Sequence, residues 1–259
     1  MIKGLYTSYT GMINEQHRLD TLANNLANAD TNGYKKEGAT SQAFDDVLAY
    51  KIKDVSEAGN LPRRMGIINP GVKIGENYVD WSEGPFKETG NTYDLAIAGT
   101  GFFAIQFTSK SGETSVKYTR DGNFTVDMAG NLVTPEGDYV LSDSGARIRI
   151  NPSIPATINR QGQVVQNGAV VATIGITDFE DYDYLEKYGE NYYQPVDGAT
   201  TTDRTPHQIY SGYLETSNVS VVDEMVNMIA IQRAYEANQK IIQTMDSSLE
   251  ISATQLGRV

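Results

Sequence analysis

Few residues in this sequence have the types and the spacing that catalysis, metal binding or nucleotide binding needs. The clearest candidate for a nucleotide site is Gly99-Thr-Gly-Phe-Phe103, because paired glycines let a backbone approach a phosphate group. The stretch has no third glycine at the required offset and no lysine, and a strand-like sequence follows it where a helix is needed. We therefore interpret it as a turn between two strands.

The titratable side chains also lack the grouping that catalysis or metal binding needs. The chain has no cysteine, which excludes disulfides, thiolate metal ligands and cysteine nucleophiles. Its two histidines, His17 and His207, have no carboxylate pair at metal-ligand spacing. One acidic cluster, without the spacing or glycine of an EF-hand loop, comprises Glu180, Asp181, Asp183 and Glu186. We interpret it as a solvated loop, and we expect no cofactor, no metal and no enzymatic activity.

Composition narrows the possible partners. With 259 residues the chain has room for one large or two ordinary domains, and its net charge is −12. Phosphate neutralisation needs clustered cations, and only Lys35-Lys36 and Arg63-Arg64 are adjacent, so we expect no nucleic-acid binding. No stretch approaches the roughly 18 apolar residues of a membrane span, and the N-terminus lacks the apolar core of a signal peptide. We expect neither membrane insertion nor a cleaved signal peptide.

Two heptad patterns, one at each end of the chain, are the strongest structural signal. Mostly apolar residues recur at steps of four and three at Leu5, Tyr9, Met12, Gln16, Leu19, Ala23 and Leu26. The same steps recur at Val221, Met225, Met228, Gln232, Tyr235, Gln239 and Ile242, and the pattern resumes at Met245, Leu249, Ser252 and Leu256. Such spacing predicts long helices that pack on other helices. We expect them at about 3–28, ended by a left-handed Gly33, and at 220–256, begun by a Ser220–Asp223 capping box.

Between the helices the pattern changes to short strands and turns. Phe44, Val47 and Leu48 predict a short amphipathic helix, and residues 56–70 predict an extended arm or loop. From about residue 75, apolar runs alternate with glycine-containing turns, including hairpin signals at Asp121-Gly122 and Asn167-Gly168. Residues 178–206 are rich in tyrosine and acidic side chains, and we expect a long exposed excursion there.

These patterns predict an α+β fold. Long N- and C-terminal helices form a coiled-coil-like domain at 1–36 plus 212–259, joined through an extended arm or linker at 37–74 to an inserted, mainly antiparallel β domain at 75–211. Insertion requires that the two ends of the β domain lie close together. Trp81, near the start of that domain, is interpreted as a core or interdomain anchor.

The apolar stripes also predict assembly, because a two-helix hairpin has too little surface to bury its full stripe. Asparagines cluster at the end of the first helix, where we interpret them as a polar seam that fixes register in preference to a frayed helix end. The predicted assembly interface comprises Leu5, Tyr9, Met12, Leu19, Leu22, Asn24, Asn25, Leu26, Asn28, Val221, Met225, Met228, Gln232, Tyr235, Asn238, Ile242 and Leu249.

Three groups of motifs, in this order, resemble those of bacterial flagellar axial proteins, the rod, hook and hook-associated proteins. The first is Leu-Ala-Asn-Asn-Leu-Ala-Asn-Ala-Asp-Thr-Asn-Gly-Tyr-Lys at 22–35. The second is Asp-Leu-Ala-Ile-Ala-Gly-Thr-Gly-Phe-Phe at 94–103 with Tyr-Thr-Arg-Asp-Gly-Asn-Phe at 118–124. The third is Gly-Tyr-Leu-Glu-Thr-Ser-Asn-Val at 212–219, followed by Glu-Met-Val-Asn-Met-Ile at 224–229 and Gln-Arg-Ala-Tyr-Glu at 232–236.

The resemblance implies a structural subunit of the flagellar basal-body rod, the driveshaft across the cell envelope. It further implies helices lining a tube, a β domain outside them, copies of itself and other rod or hook proteins as partners, and export by the flagellar type III apparatus without a cleaved signal. It leaves open a proximal rod, distal rod or hook-type subunit. An alternative of another class is a soluble module that binds cell-wall glycan through Trp81 and residues 182–193.

Overall fold

The computed structural model describes residues 2–51, 63–110, 112–189, 191–202 and 207–256. It has a long helix at each end of the chain and a mainly antiparallel β region between them, which confirms the predicted α+β class. The chain divides into two compact units. Unit 1 comprises Met1–Leu26, Glu37–Val79 and Val221–Val259, and unit 2 comprises Ala27–Lys36 and Asp80–Ser220. The domain boundaries given above stay a prediction.

Unit 1 contains the two predicted helices, α1 (Ile2–Ala27) and α2 (Val221–Leu256). They approach each other in antiparallel order through small residues of α1. A Cβ added at Gly4 would lie 2.5 Å from Met245 Cε, and one added at Gly11 would lie 3.1 Å from Asn238 Nδ2. The absence of side chains at these two glycines therefore leaves room for side chains of α2.

The remaining part of unit 1, Glu37–Val79, contributes two two-stranded sheets. Strands β1 (Glu37–Ala43) and β4 (Val72–Val79) pair antiparallel, as do β2 (Val47–Lys51) and β3 (Arg63–Ile68). The predicted short helix at Phe44, Val47 and Leu48 is therefore wrong, because Val47 and Leu48 pair with Ile68 and Ile67 in a two-stranded sheet. Phe44 lies between β1 and β2, where its N–H donates to the Gly71 carbonyl. A short apolar run is compatible with either a helix or a strand, and here pairing with a neighbouring strand determines that it is a strand. Of the arm or loop expected at 56–70, residues 56–62 lie outside the described residues, and β3 occupies 63–68.

Unit 2 is built from short strands. They are β5 (Phe86–Glu88), β6 (Leu95–Ala98), β7 (Phe102–Thr108), β8 (Thr114–Thr119), β9 (Thr125–Val126), β10 (Leu132–Val133), β11 (Tyr139–Val140), β12 (Ala156–Ile158), β13 (Gln163–Gln166), β14 (Ala169–Thr173), β15 (Ile176–Phe179), β16 (Leu185–Tyr188), β17 (Tyr192–Pro195), β18 (Thr201–Thr202), β19 (Gln208–Ser211) and β20 (Tyr213–Glu215). The nine-stranded main sheet has the order β16-β17-β8-β7-β11-β10-β9, and β15 pairs with both β7 and β18. A three-stranded sheet, β12-β13-β14, and the pairs β19-β6 and β20-β5 complete the unit.

The first half of β7 is buried on both faces, which explains its unbroken apolar run from Phe102 to Ile105. Phe103 and Ile105 belong to one core cluster, with Leu95, Phe124 and residues of β13. Phe102 belongs to a second, aromatic cluster on the other face. Trp81 is half-buried against this second cluster, 5.4 Å from the Phe102 ring and 4.9 Å from the Tyr193 ring, which confirms that it is a core anchor.

Turn chemistry was predictive at one of the two hairpin signals. Asn167 and Gly168 both have positive φ, 50° and 76°, and join β13 to β14, which confirms the predicted hairpin. The hairpin predicted at Asp121-Gly122 is wrong, since β8 pairs with β7 and β17, and β9 pairs with β10. The Gly122 carbonyl accepts a hydrogen bond from the Leu95 backbone, so the turn directs the chain towards β6.

Two further expectations are corrected in unit 2. Residues 178–189 and 191–202 are not an exposed excursion, and 190 and 203–206 lie outside the described residues. The described part supplies strands of the main sheet, and Phe179, Leu185 and Tyr193 are buried because alternate aromatic and apolar side chains face the second core cluster. Gly33 has the expected left-handed φ of 68° but does not end α1, which ends at Ala27. Its N–H donates instead to the Glu215 carbonyl. Within the described residues, neither helix has a stretch long and apolar enough to span a membrane.

Candidate assembly surface

The predicted interface residues occupy three environments in the structure. Those that are half-buried are Leu5, Met12, Leu19, Leu22, Leu26, Asn28, Met228, Tyr235, Asn238 and Ile242. Those that are exposed are Tyr9, Asn24, Val221, Met225, Gln232 and Leu249. Asn25 alone among them is fully buried. The half-buried set shows which part of each stripe unit 1 covers with its own residues, and the exposed set shows which part it leaves to water.

The covered face of each helix lies partly one residue away from the predicted stripe. On α1 the buried residues include Ser8 and Asn14, and on α2 they include Glu224 and Ile231. On α2 the predicted positions Met228, Tyr235, Asn238 and Ile242 are half-buried, whereas Met225 and Gln232 are exposed. The predicted stripe thus spans the edge between the covered face and the open face of α2.

The first turns of α2 present a second apolar stripe that the heptad assignment missed. Val222 is 70% exposed, Val226 61% and Ile229 51%, and they adjoin Met225 of the assigned heptad, which is 50% exposed. The signal was present in the sequence, because Val222, Val226 and Ile229 also recur at steps of four and three, one position from the assigned heptad. A helix that is apolar on more than one face needs more than one covering partner.

Asn25 has a different role from the intersubunit seam that we predicted. Its side chain accepts a hydrogen bond from the Glu37 backbone N–H at 2.9 Å and donates to the Glu37 carbonyl at 2.8 Å. Asn14 likewise donates to the Ser41 hydroxyl at 2.9 Å. These buried amides bind strand β1 to helix α1, so they fix the geometry of unit 1 from within.

A buried ionic cluster in unit 2 escaped the sequence analysis. Lys35 Nζ lies 2.5 Å from one carboxylate oxygen of Glu215, and Arg120 Nη1 lies 3.3 Å from the other. The first oxygen also accepts the Gly84 N–H, and Lys35 donates to the Ser82 carbonyl. Burial lowers the pKa of the Lys35 ammonium although Glu215 is adjacent. The cluster ties the segment entering unit 2 to the segment leaving it.

Three family models match the chain in order. They are described as "Flagella basal body rod protein" for residues 5–35, "Flagellar hook protein FlgE/F/G D1 domain" for residues 96–172 and "Flagellar basal body rod FlgEFG protein C-terminal" for residues 210–256. The flagellar basal-body rod protein FlgF of Caulobacter vibrioides is 36% identical over 260 residues, which cover 100% of this chain and 98% of that protein. The chain belongs to the family of flagellar basal-body rod proteins.

Other relatives agree with this assignment along nearly the whole length. The rod protein FlgG of Bacillus subtilis is 35% identical over 96% of this chain and 97% of its own, and the hook-basal body complex protein FlhO of the same species is 30% identical over all of both chains. Each member of the buried ionic cluster falls in a different matched segment: Lys35 in the first, Arg120 in the second and Glu215 in the third. A glycan-binding module is not favoured, because the Trp81 ring packs against Phe102, Tyr182 and Tyr193.

Proposed function

We propose that this rod protein is a structural subunit of the flagellar basal body whose terminal helices bind neighbouring subunits and build a helical tube. Family membership makes it a structural component of the rod, located in the basal body and assembled with other rod or hook proteins. The observation that carries the helical mechanism is the apolar stripe on α2, at Val222, Met225, Val226 and Ile229, which unit 1 leaves half or more exposed.

The energetic argument is simple. Full burial of an apolar side chain of this size is worth about 1.5–3 kcal/mol, so covering the exposed half of each would contribute about 1 kcal/mol per residue. Four adjacent residues therefore favour association by several kcal/mol before its entropic costs are counted. Because the stripe of α2 and the exposed Tyr6 and Tyr9 of α1 are different surfaces, contacts between them are heterologous. Repeated heterologous contacts build an open helical array when the rotation between copies does not close a ring.

Finer features belong to the same proposal. The terminal helices pack in a coiled-coil-like manner as the axial core, the β-rich region at 75–211 lies outside them, and the assembled shaft transmits torque across the cell envelope. The predicted interface residues, Asn24, Asn28, Gln232 and Asn238 among them, set the register between copies. The chain is exported by the flagellar type III apparatus without a cleaved signal peptide, and it has no enzymatic activity. These proposals are supported by family membership and by the heptad spacing of both ends.

The test is a charge placed on the exposed stripe. We expect Met225→Asp to prevent rod assembly and motility. The new carboxylate would be buried in an apolar interface without a cation to pair with, and burying an unpaired charge is costly. The dilute monomer should unfold within about 0.5 kcal/mol of the wild type, because Met225 is half-exposed. The matched control is Asn227→Asp, which adds the same charge at an exposed position almost on the opposite side of α2.

Sedimentation of purified protein and swimming of complemented cells are the measurements. Normal rods and normal swimming with Met225→Asp would contradict the proposal, whereas a monomer that no longer folds would be detected by its unfolding curve. Equal loss of assembly with Met225→Asp and Asn227→Asp would show that charge alone, and not the apolar stripe, controls association.

A further inference from the structure

The two helices of unit 1 differ in length, since α1 has 26 residues and α2 has 36. Their register follows from two contacts at glycines of α1. A Cβ added at Gly4 would lie 2.5 Å from a side-chain atom of Met245, and one added at Gly11 would lie 3.1 Å from a side-chain atom of Asn238. Seven residues forward along α1, from Gly4 to Gly11, thus match seven residues backward along α2, so the antiparallel register is constant.

Helix α2 continues past the point where α1 begins. The register places Ile2, the first residue of α1, opposite Ser247 of α2. Residues 248–256 of α2, which we call the overhang, therefore extend about 13 Å beyond the start of α1, at the helical rise of about 1.5 Å per residue.

Burial along α2 agrees with this register. A series of covered positions recurs at steps of three and four, at Met228, Ile231, Tyr235, Asn238, Ile242 and Met245. The next position of the series is Leu249, and its side chain is exposed. Every side chain described between Asp246 and Gln255 is exposed except that of Ser252. The overhang therefore carries the α1-facing surface of α2 into water.

The overhang matches the exposed stripe at the other end of α2. Its Leu249, Ala253 and Leu256 recur at steps of four and three, as do Val222, Val226 and Ile229 of the stripe. Leu249 follows Val222 by 27 positions, and the other two pairs have the same separation. Two parallel α2 helices that overlap along the overhang therefore align all three pairs of positions.

The last turns of α1, at the same end of unit 1 as the stripe, offer the overhang less apolar surface. Their exposed side chains are Asp20, Ala23 and Asn24, which are polar or small. The exposed Tyr6 of α1 lies within one turn of Gly4, at the end where the overhang projects. An overhang on the stripe of another copy thus adjoins the contact between stripe and α1 proposed above.

We propose that the overhang docks on the stripe of a second copy of this chain, in a parallel overlap between two α2 helices. Leu249 packs on Val222 of the next copy, and Ala253 packs on Val226. The start of the next α2 takes the position that α1 holds along the rest of the helix. The contact is heterologous, so each bound copy leaves one overhang and one stripe for further copies. This inference rests on the proposed function and names the partner of the stripe.

Disulfide mapping on the full-length protein tests the contact, because the chain has no cysteine of its own. In the double variant Val222→Cys/Leu249→Cys, the two thiols of one copy are about 40 Å apart along a single helix. A disulfide joins Cα atoms less than about 7 Å apart, so every such bond must link two copies. Mild oxidation should give a ladder of dimers, trimers and longer products on a non-reducing gel, and reductant should return it to monomer.

Single variants show which residues meet. Val222→Cys alone and Leu249→Cys alone should stay monomeric, and their mixture should stop at dimers that contain one copy of each. Dimers that form as readily from either single variant as from the mixture would show an isologous contact and overturn the proposal.

The matched control is Val222→Cys/Ile251→Cys. Residue 251 is more exposed than residue 249, but it lies on the opposite side of the overhang, because two helical residues turn by about 200°. This variant should form at least about tenfold less of the ladder, since its thiols are too far apart. A ladder equal to that of Val222→Cys/Leu249→Cys would contradict the proposed overlap.

A second pair of variants tests the contact without thiols. Leu249→Asp should lower the amount of sedimenting polymer at least about tenfold, because the overlap would bury an unpaired carboxylate. Ile251→Asp should retain the polymer, and both variants should unfold at the urea concentration of the wild type, since both positions are exposed. No loss in Leu249→Asp, or an equal loss in both, would count against the overlap.

Sedimentation separates this inference from the proposed function. A double cysteine variant that sediments as normal polymer but forms no ladder would contradict the overlap and leave the helical tube standing. Wild-type protein that stays monomeric at every concentration, together with a double variant that forms no ladder, would contradict both.

Discussion

The β unit and the helical unit of this protein differ in how completely each satisfies its own side chains. In unit 2, Leu95, Ile97 and Phe103 are fully buried, and the buried charges of Lys35, Arg120 and Glu215 form one ionic cluster. In unit 1, Val222, Val226 and Ile229 are more than half exposed on a long helix. A region with a closed core is stable by itself, whereas a helix with an open apolar stripe needs neighbouring chains. We infer that unit 2 keeps its shape by itself and that the assembly proposed above uses the open stripe of unit 1.

The largest expected effect comes from opening the buried ionic cluster of unit 2. Glu215→Gln keeps the volume of the side chain but leaves Lys35 and Arg120 as buried cations without a carboxylate. Breaking a buried ion pair on one side costs about 3–5 kcal/mol. We expect a loss of that size in urea unfolding of the dilute monomer. Glu113→Gln, at an exposed position, is the control and should be neutral. A neutral Glu215→Gln would show that unit 2 does not depend on the cluster.

The next largest effect is expected from one methyl group added to unit 2, at Gly122. A Cβ at Gly122 would lie 1.7 Å from the Leu95 carbonyl oxygen, and backbone cannot move aside as a flexible side chain does. The same pair of residues is joined by a hydrogen bond from the Leu95 N–H to the Gly122 carbonyl. We expect Gly122→Ala to lower the free energy of unfolding by about 3 kcal/mol. Urea unfolding measures it, and a change below about 0.5 kcal/mol would contradict the tight packing of this turn.

The two units also differ in how far the sequence predicts them. Helix existence and type followed from heptad spacing, and the Asn167-Gly168 hairpin followed from local turn chemistry. The failures were non-local. Asp121-Gly122 has a hairpin composition, but its carbonyl bonds Leu95, far along the chain. Lys35 and Glu215 are 180 positions apart, and nothing in their local sequence indicates that they meet.

The predicted surface shows the same limit. The spacing predicted helix α2, but which of its faces is covered depends on the residues of α1 that pack against it. Gly4 and Gly11 lie at this contact, and because they have no side chain their sequence gives no sign of it. The paired strands at 37–51 and 63–79 were not predicted for a similar reason, because each strand is identified by its partner and not by its own sequence.

A smaller effect concerns the pH dependence of unit 2. Burial raises the pKa of Asp121 to about 6, from an ordinary value of 3.8, and Glu136 and Asp94 add to the shift by charge repulsion. The folded state therefore holds this proton more tightly than the unfolded state. The stabilisation is fully present below pH 3.8 and is lost as the pH rises through about 6.

We expect deprotonation of Asp121 to lower the free energy of unfolding by about 1–3 kcal/mol between pH 3.8 and about 6. Asp121→Asn binds no proton there, so its unfolding free energy should lack this decrease. Asp143→Asn, at an exposed carboxylate, should retain it. Unfolding curves measured at intervals between pH 4 and pH 6.5 test the prediction, and parallel profiles for the wild type and Asp121→Asn would contradict it.

The smallest expected effect has the opposite sign and lies in unit 1. Gly4→Ala makes the same chemical change as Gly122→Ala, but the nearest atom to the new Cβ is the terminal methyl of Met245, which can rotate away. Alanine favours a helix by about 1 kcal/mol over glycine, and part of that gain is offset by moving Met245. We expect the dilute monomer to gain about 0.5 kcal/mol and to become slightly more helical by circular dichroism. A loss comparable to that of Gly122→Ala would show that the helical unit is packed as rigidly as the β unit, and the contrast between a closed region and an open one would no longer hold.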